Sequence, residues 1–345
     1  MKHWAIAALW ALLGGTAMAD DYQTDAIFGI KGLAIGQVSD SKGLTGVTVL
    51  RFDQGATAGV DVRGAAPGTR ETDLLRPENL VDKVHAIVLS GGSAFGLDSM
   101  SGVARCLEEQ RIGFDTGVAQ VPIVTGAVLF DLALGDAKAR PDAEMGYRAA
   151  RAAQRISFAE GSVGAGTGAS VGKIAGMSRA TKSGIGSYSI TLNGGLIVGA
   201  VVAVNAWGDV MEGNTLLAAT RNEAGTGFVS GTELILAGAN AQGFAGRNTT
   251  IGAIVTNARL TKSQALKLAQ MGHDGYARAI RPVHSLYDGD TLFAAGTGEV
   301  TVSDINAVGV IAAEVVEEAI HRAVKAATAA GGLPASRDLQ PGSQP

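Results

Sequence analysis

Thr249 and Thr250 stand side by side in the stretch Gly246 to Ala258 (GRNTTIGAIVTNA), behind a small, kinkable Gly-Arg-Asn segment. The apolar run that follows, Ile251 to Val255, reads as a buried strand. A hydroxyl at the mouth of such a strand has two readings. It opens the strand as a β-former, a common use of Thr, or it is a nucleophile. An alcohol is a weak nucleophile at neutral pH without a base beside it. A chain cut just before Thr249 would supply that base, the freed α-amine of the same residue, whose ordinary pKa is about 7.7–8.0.

Further polar residues sit where apolar chain would be expected. Gly161 to Lys173 (GSVGAGTGASVGK) is a glycine-lined stretch that delivers one lysine, Lys173, into close quarters. Asn205 ends the uniformly apolar run Leu196 to Val204. An amide there must find hydrogen-bond partners; it caps a turn or donates to a bound oxyanion. Asp288-Gly289-Asp290 precedes the run Thr291 to Ala295 and by residue type reads as a turn.

Other motifs fail in detail. Ser90 to Gly96 (SGGSAFG) approaches a nucleophile elbow around Ser93, but its second glycine falls one place late. What remains is a strand, a glycine turn and a helix, a geometry that can aim backbone N–H groups at a ligand. A phosphate loop ending at Lys173 would need Gly where Thr167 stands and Ser or Thr where Ile174 stands. The dinucleotide pattern fits Gly164, Gly166 and Ala169, yet no strand precedes it and no acidic residue follows about 20 positions on. His273-Asp274 and His284 offer too few ligands for a metal, so neither metal nor cofactor is expected.

The elements that must position these residues alternate between strand and helix. Val47 to Phe52, Val60 to Val62, Val84 to Ser90, Ser187 to Leu192, Leu196 to Val204 and Thr291 to Ala295 read as strands. Asn193-Gly194 makes a hairpin of the fourth and fifth. Leu97 to Gln110, Ala143 to Arg155 and Ser303 to Ala327 read as helices, as does a segment running to about Ile280 from the capping box Thr261-x-x-Gln264. Asn214 to Ala224 is expected as a short helix. Thr226 to Gly246 is expected as a linker, and Gly331 to Pro345 as a polar tail. Apolar strands with helices between them and at the end predict an α/β sandwich in which helices cover stacked sheets.

Composition narrows the class. Lys2 and His3, an apolar run from Trp4 to Leu13 and the Ala17-Met18-Ala19 site predict a secretory signal over 1–19, cut after Ala19. The mature chain, 20–345, is then periplasmic or secreted and is expected to form a single domain. No apolar run reaches the ~20 residues of a membrane span. A net charge of -4 without a basic cluster argues against nucleic acid. Charged residues make up only 17%, which points to extensive burial and to an oligomer. The one cysteine, Cys106, excludes an internal disulfide and reads as core.

Seven stretches in one order carry a resemblance: VDVRGAAPGTRETDLL, VLSGGSAFGLDS, VPIV-x-x-AVLFDL, GSVGAGTGASVGK, VVAVNAWGDV, NTTIG and HDGYARAIRPVHSLYDGDTLFA. The chain resembles the DmpA/NylC-type family of self-processing peptidases, which includes L-aminopeptidase/D-esterases, β-peptidyl aminopeptidases and 6-aminohexanoate-oligomer hydrolases. The resemblance spans roughly Ile30 to Gly298. It implies an αββα fold like that of N-terminal-nucleophile hydrolases, with different connectivity. It also implies self-cleavage between Asn248 and Thr249, leaving fragments 20–248 and 249–345 associated, in a homotetramer.

By the same resemblance, Thr249 is the nucleophile, with Lys173 to depress the pKa of its amine and Asn205 to donate to the oxyanion. Asp288 and Asp290 would orient the amine and hydroxyl. The substrate would be a small peptide or amide: an aminoacyl, β-aminoacyl or ω-amino-acid amide. Asp288, Asp290 or Lys173 would assist the first cut. The sequence departs from the family pattern at Gln37, at Thr125-Gly126 and at Phe130, where tyrosine is frequent, and all three are expected near the substrate pocket. An acyltransferase of the same fold and a non-catalytic secreted binding protein are the competing readings.

Overall fold

The structure, a computed structural model, describes residues 23–25, 27–239 and 248–339. The expected export signal, Gly246-Arg247 of the stretch before Thr249 and the last six residues lie outside the described residues. The chain builds β1 (Leu33–Asp40), β2 (Thr45–Val62), β3 (Lys83–Ser90), α1 (Ser99–Glu109), β4 (Val124–Val128) and α2 (Ala143–Arg151). It continues through β5 (Ile185–Thr191), β6 (Ile197–Asn205), β7 (Thr249–Ala258), α3 (Lys262–Ala279), β8 (Thr291–Val300) and α4 (Ile305–Ala326).

The main sheet has ten strands in the order Gln23–Thr24, β5, β6, β7, β8, β2, β3, β4, Gly68–Arg70, with β1 also on β2. Its pairs are antiparallel except β7 with β8 and β3 with β4. The 18-residue β2 joins two halves. Its first part pairs with β1 and β3, its last with β8, and the register slips between Arg51 and Ala56. Such a slip bends a strand. The halves therefore face each other: Leu50, Ile87 and Leu89 of one share a core with Val201, Ile251, Ala253 and Phe293 of the other.

Alternate residues of the same strands point outward and are covered by helices, as the two-residue period of a strand requires. Val202, Ile254 and Leu292 pack with Leu268, Val315 and Ile320 of α3 and α4. Val49, Ala86 and Val88 pack with Met100, Val103 and Ala149 of α1 and α2. The result is an αββα sandwich, and Cys106 lies buried in its α1 layer. The Thr261–Gln264 capping box forms and starts α3.

Several expectations need correction. Residues 47–52 and 60–62 belong to one strand, β2. Asn214 to Ala224 is not helical. Thr215–Ala218 pairs with Asp209–Glu212, and Thr220–Arg221 with Phe228–Val229. Its Thr and Leu residues suit cross-strand packing better than a helix. The expected linker from Thr226 contains that strand and a helix, Gly231–Leu236, capped by Ser230. The expected tail packs as far as residue 339, with Leu333, Ala335 and Ser336 buried.

Candidate active site

Two strand pairings assemble the site. Antiparallel pairing of β6 with β7 puts Asn205 opposite Thr249. Parallel pairing of β7 with β8 runs the segments ahead of both strands side by side, so that Asn248 bridges to Asp288. The Gly289 N–H donates to the Asn248 carbonyl at 2.9 Å. The Thr249 hydroxyl donates to that same carbonyl oxygen. A Cβ on Gly289 would come within 2.9 Å of Thr249 Oγ1 and 2.4 Å of the Ala66 carbonyl oxygen. Glycine is thus required for this close approach.

Lys173 arrives from the glycine-rich loop, which is zipped onto the end of β6. The N–H groups of Gly172 and Lys173 donate to the carbonyls of Gly208 and Trp207, each at 2.9 Å. Gly172 has φ of 65°, and a Cβ there would meet the Ala219–Thr220 backbone at 2.2 Å. The lysine ammonium donates to Asn205 Oδ1 at 2.7 Å and to the Asn205 carbonyl at 3.0 Å. Asn205 Oδ1 also accepts from the Ser170 N–H, and its Nδ2 donates to the Phe130 carbonyl at 2.9 Å.

Both aspartates are buried and fully engaged. Asp288 accepts from the Trp207 N–H at 3.1 Å and from the Ser285 hydroxyl. Asp290 accepts from the Thr250 N–H at 2.7 Å through Oδ1, and from the His284 N–H and ring through Oδ2. Burial lowers the Lys173 pKa to about 7, against the opposing pull of Asp288 and Asp131. Burial, then the neighbouring Asp290, raises Asp288 to about 6. A lysine near 7 and a carboxylate near 6 are groups that can exchange protons at neutral pH.

All the residues singled out from sequence, Thr249, Asn248, Lys173, Asn205, Asp288 and Asp290, converge here. Of the three departures, only Phe130 borders the site; it lines a narrow cleft with Lys173, Ser170, Leu134 and Met177. Gln37 instead clamps the backbone of Ala159 through both its amide atoms. Thr125 donates to the Arg70 carbonyl, and Gly126 packs on Val88. The Gln37 and Thr125 side chains are thus spent on backbone hydrogen bonds.

Sequence reasoning missed four contributors. Ser285 and His284 hold the two aspartates. Lys182, its pKa lowered to about 7 by burial, and Asp131, raised to about 6 by burial, lie behind Lys173. Asp131 accepts from Thr45 Oγ1 at 2.6 Å and from the Gly92 N–H at 2.7 Å. The Gly91 to Gly96 turn therefore aims an N–H at an internal carboxylate. The Asp131 signal was its place after Phe130 in an otherwise apolar run, where a charge demands partners.

Fold and site together describe an αββα sandwich that gathers a buried threonine, a lysine, an asparagine and two aspartates at the end of one strand. The chain belongs to peptidase family S58, whose model matches residues 25–337. It is 42% identical over 321 residues to an uncharacterised aminopeptidase of Mycobacterium bovis, covering 86% of this chain and 90% of that one. It is 33% identical over 315 residues to a 6-aminohexanoate-oligomer endohydrolase of a Kocuria species, covering 86% and 85%. Among solved structures it resembles the L-aminopeptidase D-Ala-esterase/amidase of Ochrobactrum anthropi, described as a variant of the Ntn hydrolase fold. That match has a TM-score of 0.65 at 19% identity over 89% of this chain and 88% of that one, a likeness of fold. The protein is thus a peptide or amide hydrolase.

Proposed function

We propose that the chain cuts itself between Asn248 and Thr249 and then hydrolyses aminoacyl-type amides through an acyl-enzyme on Thr249. One observation carries this reading: the Thr249 hydroxyl and the Gly289 N–H converge on one oxygen, the Asn248 carbonyl. In the first step Thr249 Oγ bonds to the Asn248 carbonyl carbon while Gly289 N–H stabilises the developing oxyanion. The C–N bond then breaks, the Oγ proton passes to the leaving nitrogen, and water hydrolyses the ester.

Lys173 is the base for this step. A neutral amine has two N–H groups and one lone pair. Asn205 accepts twice from Nζ, which leaves the lone pair for the Thr249 proton once that hydroxyl turns away from the Asn248 carbonyl. After the cut, the α-amine of Thr249 takes over as base, and a substrate carbonyl replaces that of Asn248. Asn205 spends one Nδ2 hydrogen on Phe130 and keeps the second for the substrate oxyanion. Asp290 holds the backbone after the nucleophile through the Thr250 N–H, and Asp288 holds the Trp207 N–H beyond Asn205.

The relatives' names, an aminopeptidase and an oligomer hydrolase for 6-aminohexanoate, support aminoacyl, β-aminoacyl or ω-aminoacyl amides as substrates. The N-terminal residues support export; the low charge content supports an oligomer, and the family resemblance a homotetramer in which both fragments stay bound. The test is a panel of α-, β- and ω-aminoacyl anilides, with mass analysis of the quenched protein. Anilide release with an acyl group on the peptide beginning at Thr249 is expected. Turnover without acylation of that peptide contradicts the reading.

A further inference from the structure

His284 lies outside the expected set, yet three features tie it to the nucleophile. Its backbone is left-handed, with φ of 56°, rare for a residue with a side chain. In that conformation its own N–H and its ring Nδ1 converge on one oxygen, Asp290 Oδ2, at 3.0 and 2.9 Å. Nδ1 must carry the proton, since a lone pair there would oppose the carboxylate. Among the described residues, His284 is also the one basic side chain within salt-bridge distance of the buried Asp290.

The other Asp290 oxygen accepts from the N–H of Thr250, the residue after the nucleophile. A relay thus runs from His284 through Asp290 to the Thr249–Thr250 backbone. The groups facing the ring from α3 do not replace it. His273 meets it edge to face at 4.7 Å between ring centres, and Tyr276 lies 6.0 Å away. Burial keeps His273 neutral, at about 4, and Tyr276 protonated. His273 Nε2 is engaged with the Asp61 carbonyl. His284 Nε2 is buried without a hydrogen-bond partner among the described residues.

We infer that His284 is a positioning residue that acts through Asp290 to hold Thr249 in attacking geometry. The inference rests on Thr249 being the nucleophile. A misplacement of about 1 Å can cost on the order of 10²-fold in rate.

The test compares His284→Gly with His284→Asn. Glycine accepts the left-handed backbone without strain but removes the ring. Asparagine also tolerates that conformation and restores an N–H near the Nδ1 position. We expect His284→Gly to lower kcat on a reactive aminoacyl anilide by on the order of 10²-fold with KM little changed. Self-cleavage should slow in parallel, and His284→Asn should recover most of both. Wild-type kcat in His284→Gly, or equal losses in both variants with a matching fall in melting temperature, would overturn the positioning role. A wild type that turns over without a chain beginning at Thr249 would overturn the nucleophile assignment, and this inference with it.

Discussion

The two ends of β7 carry nearly the same residues and do different things. At the far end, Thr256 and Asn257 are buried and spend their side chains on local backbone. Thr256 Oγ1 donates to the Ile197 carbonyl, and Asn257 bonds the Ile197 N–H and the Gly195 carbonyl. No ionisable side chain shares those bonds. At the near end, Asn248, Thr249 and Thr250 are equally buried but sit among Lys173, Asp288 and Asp290. A buried threonine is therefore no sign of chemistry in itself. The difference is made by titratable groups that burial has moved towards neutrality, brought to one end by strand register.

The contrast can be broken most severely at Thr249, the proposed nucleophile. Thr249→Ala is expected to leave one uncut chain without amidase activity, while Thr256→Ala is cut normally; electrophoresis and anilide turnover read both. Next, Asn205→Ala should lower kcat on the order of 10²–10³-fold through loss of an oxyanion donor.

A smaller effect concerns pH. Lys173, displaced downward, loses its proton as pH rises through about 7, and Asp288, displaced upward, ionises above about 6. The first change frees the base and favours attack; the second only strengthens the acceptor that holds the Trp207 N–H. The rate of self-cleavage in freshly refolded precursor should therefore climb between these values, and a rate that falls over this interval would contradict the role given to Lys173. The smallest effect lies at the far end. Asn257→Ala strips a buried N–H of its partner and should cost about 1–3 kcal/mol in denaturant unfolding, with processing unchanged.

The residues that gather at the candidate site were legible in the sequence, three of them locally and the two aspartates only through the resemblance. Thr249, Asn205 and Lys173 stand out because each is polar at the edge of an apolar or glycine-lined run, a local property. The layered sandwich also followed from strand and helix periodicity. What stayed hidden depends on partners far along the chain. The span 47–62 is one strand because β8 takes up the part that β3 leaves. Leu333, Ala335 and Ser336 are buried because the Lys182 N–H donates to the Pro334 carbonyl and the Leu217 carbonyl accepts from Ser336, although the 331–345 stretch is polar by composition. Gln37 drew attention by type, but its register on β1 aims it at Ala159. His284 is six residues from Asp290, and only the left-handed turn folds it back onto that carboxylate.

The most direct measurement is Edman sequencing, or intact-mass analysis, of the purified, catalytically active protein. A polypeptide beginning with Thr249-Thr250-Ile251 is predicted, alongside a larger fragment ending at Asn248. Full activity in material with no amino terminus at residue 249 would contradict the account.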